Sequence, residues 1–226
     1  MVRSSRLRRG RLATAVLVGL LVTGCGQNPP GVAAQVGEDR ITDEQVDQLA
    51  EALCVLNAQA PAQGQGPVPA QQARRQALQI LIETELADDI IDPDAVDEEQ
   101  LAAAKQQTQA QSDALPERLR GTFDDAVEAF FGSQIGLLAL GRESLEQKGT
   151  RNPDDTAAQS EGQRLRTRYA RRTDVKVDPR FGTFQQGQLQ PSDGSLSVAV
   201  SDEAKASASA DGVGIDLPAN LSCGAS

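Results

Sequence analysis

Between residues 71 and 91, Ala77, Leu78, Leu81, Ile82, Leu86 and Ile90 recur at helical spacing, and Ile80 and Ile91 widen the stripe. That periodicity predicts a helix that must bury one whole side. Pro93 stops it. A stripe this wide is not stable against water, so the rest of the chain has to cover it.

The cover comes from further helices. Thr42-Asp43-Glu44-Gln45 has the spacing of a capping box, in which the Thr42 hydroxyl accepts from the Gln45 amide and the Gln45 side chain reaches back. The helix that begins there carries Val46, Leu49, Ala50, Leu53 and Leu56 on one face, with Cys54 beside them. Residues 57–72, rich in Gln, Ala, Pro and Gly, read as a loop. After Pro93, Asp94 opens a helix running to about Leu115, with high propensity and little to bury, so it predicts an exposed or bridging arm. From Pro116 to about Leu140, Leu119, Phe123, Val127, Phe130 and Leu138 mark another apolar face, interrupted by Gly132 and Gly136; with Gly141 these predict close helix contact or a kink. The stretch from Phe130 to Leu140 is short for a membrane span. A polar loop over 149–156 leads to a basic helix with Arg164, Arg166, Arg168, Arg171 and Arg172, whose simplest reading is a solvated face opposite acidic neighbours.

Extended pieces flank the helices. Val32 to Val36, a turn at Gly37-Glu38-Asp39 and a return at Arg40-Ile41 form a short pair that needs a third strand or a helix to cover it. Val175-Lys176-Val177-Asp178 alternates like a strand, Pro179-Arg180-Phe181-Gly182 turns the chain, and Leu196 to Val200 is a further strand candidate. The fold class is therefore mainly α with a small β element. Aromatic residues make up only 3% of the chain and Trp is absent, so the core must be thin and built from Leu, Ile, Val and Ala.

The first 24 residues have a different character. Arg3, Arg6, Arg8, Arg9 and Arg11 precede an apolar run from Leu12 to Val22, the layout of a secretory signal too short to anchor a membrane by itself. Val22-Thr23-Gly24-Cys25 resembles a bacterial lipobox. On that reading residues 1–24 are a lipoprotein signal peptide, Cys25 is the lipid attachment site, and residues 25–31 form a flexible tether. Arg8-Arg9 leaves the export route open between the general and twin-arginine pathways. The expected address is the extracytoplasmic face of the cell membrane. Residues 32–200 then form one helical domain, and residues 201–226, small and polar, a mostly disordered tail in which Leu221 and Cys223 can dock.

Charge and composition exclude several functions. Without the leader, 17 basic residues face 32 acidic ones, a net charge of −15 that repels a phosphate backbone, so nucleic acid is not an expected partner. The complete absence of histidine removes the Ser/His/Asp triad, the Cys/His pair and the commonest zinc and iron ligand. Three cysteines without CxxC spacing do not make a thiolate zinc site. Asp88, Asp89, Asp92, Asp94 and Asp97 fail the calcium-loop pattern, because Val96 stands where a ligand belongs and Asp97 where glycine is needed; they read as a solvated helix start. No cofactor or metal is expected. Once Cys25 carries lipid, Cys54 and Cys223 remain, either as a disulfide closing 169 positions or as two free thiols.

The chain resembles the SurA N-terminal-like family of extracytoplasmic chaperones, in the lipoprotein form of high-GC Gram-positive bacteria. The resemblance rests on Val32 to Val46, on the helix Leu78 to Leu86, and on Val175 to Gly182, covering roughly 32–185. It implies that the first strand and the segment after the helices come together, closing a helical module that binds unfolded or newly secreted proteins without catalysis. Relatives of the SurA and PrsA type also carry a parvulin prolyl isomerase domain; no such module fits in this chain, so isomerase activity is not expected. Client-binding residues are not specified by the sequence. A structural or assembly lipoprotein with one dedicated partner is the alternative.

Overall fold

A computed structural model describes residues 28–59, 68–191 and 223. The leader, residues 25–27 of the tether with Cys25, the 196–200 strand candidate and nearly all of the 201–226 tail lie outside these residues.

Strand β1 (Val32–Val36) turns back into β2 (Asp39–Thr42) through Gly37, whose φ of 58° suits the first central position of a tight hairpin turn. Thr42 then caps α1 (Asp43–Gln59) as expected: the Gln45 amide donates to Thr42 Oγ1 at 3.2 Å, and the Thr42 amide donates to Gln45 Oε1 at 2.8 Å. Helix α2 (Ala70–Asp88) carries the wide apolar stripe, with Ala77, Leu78, Ile82 and Leu86 fully buried. It ends three residues before Ile91, because the amides of Ile90 and Ile91 both close onto the Ala87 carbonyl in a turn.

The next helix begins later than the sequence suggests. Pro93–Ala95 is a single 3-10 turn capped by Asp92, and α3 (Glu98–Ala114) starts only after Asp97, whose carboxylate accepts from the Gln100 amide at 2.9 Å. Ser112 is its one buried residue, in keeping with an exposed arm laid along α4 (Glu117–Gln147). At 31 residues, α4 runs seven past the expected end and is roughly 46 Å long at the standard rise. It packs against α5 (Asp155–Ala170), which carries Arg164, Arg166 and Arg168; Arg171 and Arg172, expected on the same helix, lie just past its end.

β3 (Val175–Val177) pairs antiparallel with β1, giving a sheet of order β2-β1-β3 that joins the start of the described chain to the segment after the helices. Phe181 then folds inward to 1% exposure, between the guanidinium groups of Arg74 and Arg180. Arg180 also donates to Asp43 and Asp178, tying this turn to the start of α1. A hairpin not anticipated from the sequence follows, β4 (Thr183–Gln185) and β5 (Gln188–Gln190), turning at Gln186 and Gly187 with φ of 55° and 85°. Two consecutive positive φ values are what the favoured two-residue hairpin turn requires.

The main core gathers β1, β2, α1, α2 and Phe181, and a smaller cluster of Ala52, Leu115, Leu119 and Phe123 joins α1 to α4. Ala, Leu, Ile and Val dominate both, as the scarcity of aromatics dictates.

Candidate functional site

Three places stand out by residue type. The first is the thiol pair: Cys54 on α1 and Cys223 stand with Sγ atoms 2.00 Å apart and Cα atoms 4.8 Å apart, so the structure joins them. The Cys223 amide donates to the Val68 carbonyl at 2.7 Å, and both cysteines lie half-buried against the main core.

The second is the acidic run. The structure distributes it instead of gathering it: Asp92 and Asp97 cap the 3-10 turn and α3, and Asp89 accepts from the Tyr169 hydroxyl at 3.1 Å. Among the described residues, no group of three or more acidic or cysteine side chains is arranged to hold a metal ion. Burial and the neighbouring Asp39, Asp88 and Asp89 push the Glu85 carboxyl up, and burial with Asp89 does the same to Asp88. Two such groups at the C-terminal end of α2 favour the fold below about pH 4 and lose that contribution as pH rises through their raised values.

The third is the basic helix. Arg164 pairs with Glu161 and Arg166 with Glu83 at 2.7 Å, so the acidic neighbours are as expected. The Arg166 side chain is only 14% exposed and Glu161 is buried, however, so these pairs do not lie on a solvated face. Glu161 is the centre of the α4–α5 contact: it is buried, and Arg164, Lys148 and Ser144 all donate to it. Those donors, Arg164 first, hold its carboxyl well below the usual carboxylate range. Glu161→Gln should cost about 1 kcal/mol at pH 7, since Lys148 and Arg164 are half exposed and screened. A lowered folded value means stability present above the unfolded pKa and lost as pH falls. The difference between wild type and variant should therefore be full above about pH 5 and shrink below about pH 4. Urea titrations at the two pH values would show it, and a constant difference would contradict it.

The surface that no sequence motif marked is on α4. Phe130 is 37% exposed, the one large apolar side chain that open among the described residues, and its ring meets Phe131 edge-on at 5.4 Å. Phe130 belongs to the apolar period of the helix, so periodicity alone assigns it to a core. Helix α3, which packs along α4, carries mostly Ala and Gln. Two shallow grooves lie elsewhere among the described residues. One lies between the end of α5 and the β4–β5 turn, lined by Arg171, Asp174 and Phe184 among others; the other lies between α2 and β5. Among the described residues no helix is long and apolar enough to cross a membrane.

No protein-family model, no curated protein and no solved structure matches the chain.

Proposed function

We propose that the protein is a lipid-anchored chaperone-like lipoprotein on the extracytoplasmic face of the cell membrane, holding unfolded or newly exported chains without turnover. The observation that carries this reading is the exposed Phe130 ring midway along α4, set edge-on against the partly buried Phe131. An aromatic surface on a strongly acidic body suits transient contact with apolar segments, because the charge keeps the holder itself soluble. The pairing of β1 with β3 agrees with the closure that the family resemblance implies. Val22-Thr23-Gly24-Cys25 supplies the anchor, and two or more acyl chains would hold the body at the surface where exported chains emerge.

The test is aggregation of several unrelated unfolded proteins in the presence of the lipid-free chain. Wild type should slow all of them. Phe130→Ser should weaken the effect several-fold. Because the ring is 37% exposed and otherwise covered, the variant should also lose about 1 to 3 kcal/mol of stability, so suppression is compared at temperatures where both proteins stay folded. Unchanged suppression by the variant would remove Phe130 from the reading.

One observation favours the alternative, an assembly adaptor with one dedicated partner: a single large exposed apolar residue is a small surface for a general holder. An adaptor would ignore every unrelated client in the same assay, and crosslinking in cells would return one dominant product.

A further inference from the structure

The groove between α2 and β5, about 370 Å³, is lined by Gln72, Arg75, Gln76, Gln79, Glu83 and Gln188, with Leu189 at its edge. Arg75 is the unusual member. In a chain with 32 acidic residues against 22 basic ones, it has no ion-pair or hydrogen-bond partner among the described residues, although Arg74 beside it holds Asp47 at 2.7 Å. It is half-buried, and burial without an offsetting anion lowers its affinity for the proton below the ordinary arginine value. Glu83 does not answer it, being engaged by Arg166 and Gln79.

The neighbours are also uncommitted. Gln72, Gln76 and Gln188 make no side-chain hydrogen bond among the described residues, and each offers both donors and an acceptor. Gln79 shows how such a group serves here: its Oε1 accepts from the Leu189 amide at 2.6 Å, so a side-chain carboxamide already takes the place of a neighbouring strand on the open edge of β5. The groove thus offers three uncommitted carboxamides, those of Gln76 and Gln188 exposed, beside one guanidinium without a partner among the described residues. A guanidinium pairs best with a planar carboxylate held by two parallel bonds. A dianionic phosphate is the poorer fit, because Glu83 stands in the same groove and the net charge of the chain is negative.

We propose that this groove binds a short extended peptide segment through its carboxylate, taken by Arg75, with Gln72, Gln76 and Gln188 engaging the main chain. The site goes beyond the chaperone reading and does not use the Phe130 surface. The carboxylate can come from an internal Asp or Glu or from a free C-terminus.

Fluorescence anisotropy with three short labelled peptides on the lipid-free chain tests it: one with a central Asp and an amidated end, one with Asn in its place, and the Asn peptide with a free C-terminus. One or both carboxylate-bearing peptides should bind about tenfold more tightly than the neutral one, and which of them does identifies the source. Arg75→Gln should abolish that preference, Arg75→Lys should retain part of it, and Arg151→Gln, an exposed charge-matched control, should leave it intact. Arg75→Gln should melt as wild type does. Equal binding of all three peptides, binding of none, or a preference that survives Arg75→Gln would overturn the site. Aggregation suppression lost with Phe130→Ser but kept with Arg75→Gln would leave the two proposals standing separately.

Discussion

Enlarging Gly141 or Gly162 to alanine is expected to force α4 and α5 apart and to destabilise the protein by about 3 kcal/mol, at or above the top of the usual range for overfilled contacts. The reason is where the helices touch. A methyl group on Gly141 would meet the Ala158 carbonyl oxygen at 1.9 Å and the Gly162 amide nitrogen at 2.7 Å; one on Gly162 would meet the Leu137 carbonyl oxygen at 2.1 Å. All three obstacles are main-chain atoms of helices, which cannot rotate aside as a side chain can. The helices must separate, and buried Leu137 and Ala158 lose their contacts with them. Internal controls lie on the same helix. A methyl group on Gly132 would have nothing within 4 Å, so Gly132→Ala should stabilise by up to about 1 kcal/mol through helix propensity. A methyl group on Gly136 would meet the Ile91 side chain, Cδ1 at 2.8 Å and Cβ and Cγ2 at 3.1 Å; Cδ1 can swing away while Cβ must shift with its turn, so this alanine variant should fall between. Urea midpoints at unchanged slope would rank the four variants. A Gly141→Ala protein as stable as wild type would mean that α4 and α5 do not approach this closely in solution.

Glycines of this kind mark the boundary between what the residues announce and what only the assembled fold reveals. Gly136 and Gly141 are visible as interruptions of an apolar period, and close contact follows naturally from them; Gly162, the partner of Gly141, sits in a polar stretch where no period draws attention to it. The helices themselves are legible because burial imposes a period on the sequence. Thr42 and Gln45 are legible because a cap is a local arrangement of neighbouring residues. The ends of α2 and α4 are not. Ile90 and Ile91 continue the apolar pattern past the point where the chain turns, and the last turns of α4 persist because Glu161, distant in sequence, engages Ser144 and Lys148. The β4–β5 hairpin is hidden for a related reason: Gln186-Gly187 lacks the Asn-Gly or Asp-Gly signature, and the hairpin depends on the Gln79 carboxamide from α2 to occupy its open edge. Of the candidate sites, the thiol pair follows from counting cysteines. The open face of Phe130 and the unanswered charge of Arg75 do not, because both are defined by a neighbour that fails to cover or to pair, and no stretch of sequence records which neighbour that will be.

Removing the Cys54–Cys223 bridge is expected to cost about 2 to 5 kcal/mol, toward the upper end because the loop it closes is long. In the chain-entropy account the gain grows with the logarithm of loop length, and here the cysteines are 169 positions apart. That span includes every described helix after α1, so the cross-link restricts almost the whole unfolded chain. The local contacts point the same way. Cys54 sits beside Leu53 on the face of α1 that meets the main core, and Cys223 is held by its amide on the Val68 carbonyl, next to the start of α2. Without the bridge, that one main-chain bond and a half-buried apolar contact must hold residue 223 on the body, and the two together contribute only about 1 to 2 kcal/mol. The lipid-free protein prepared without reductant should therefore show no reactive thiol from this pair when unfolded, and two after reduction. Its urea midpoint should fall on reduction by an amount matched by the Cys54→Ser, Cys223→Ser double variant. Because an entropic link acts on the unfolded state, the single variants should each cost nearly as much as the double, which two independent packing defects would not do. Two thiols reactive before reduction, or an unchanged midpoint after it, would show that the pair is not bridged in the folded protein.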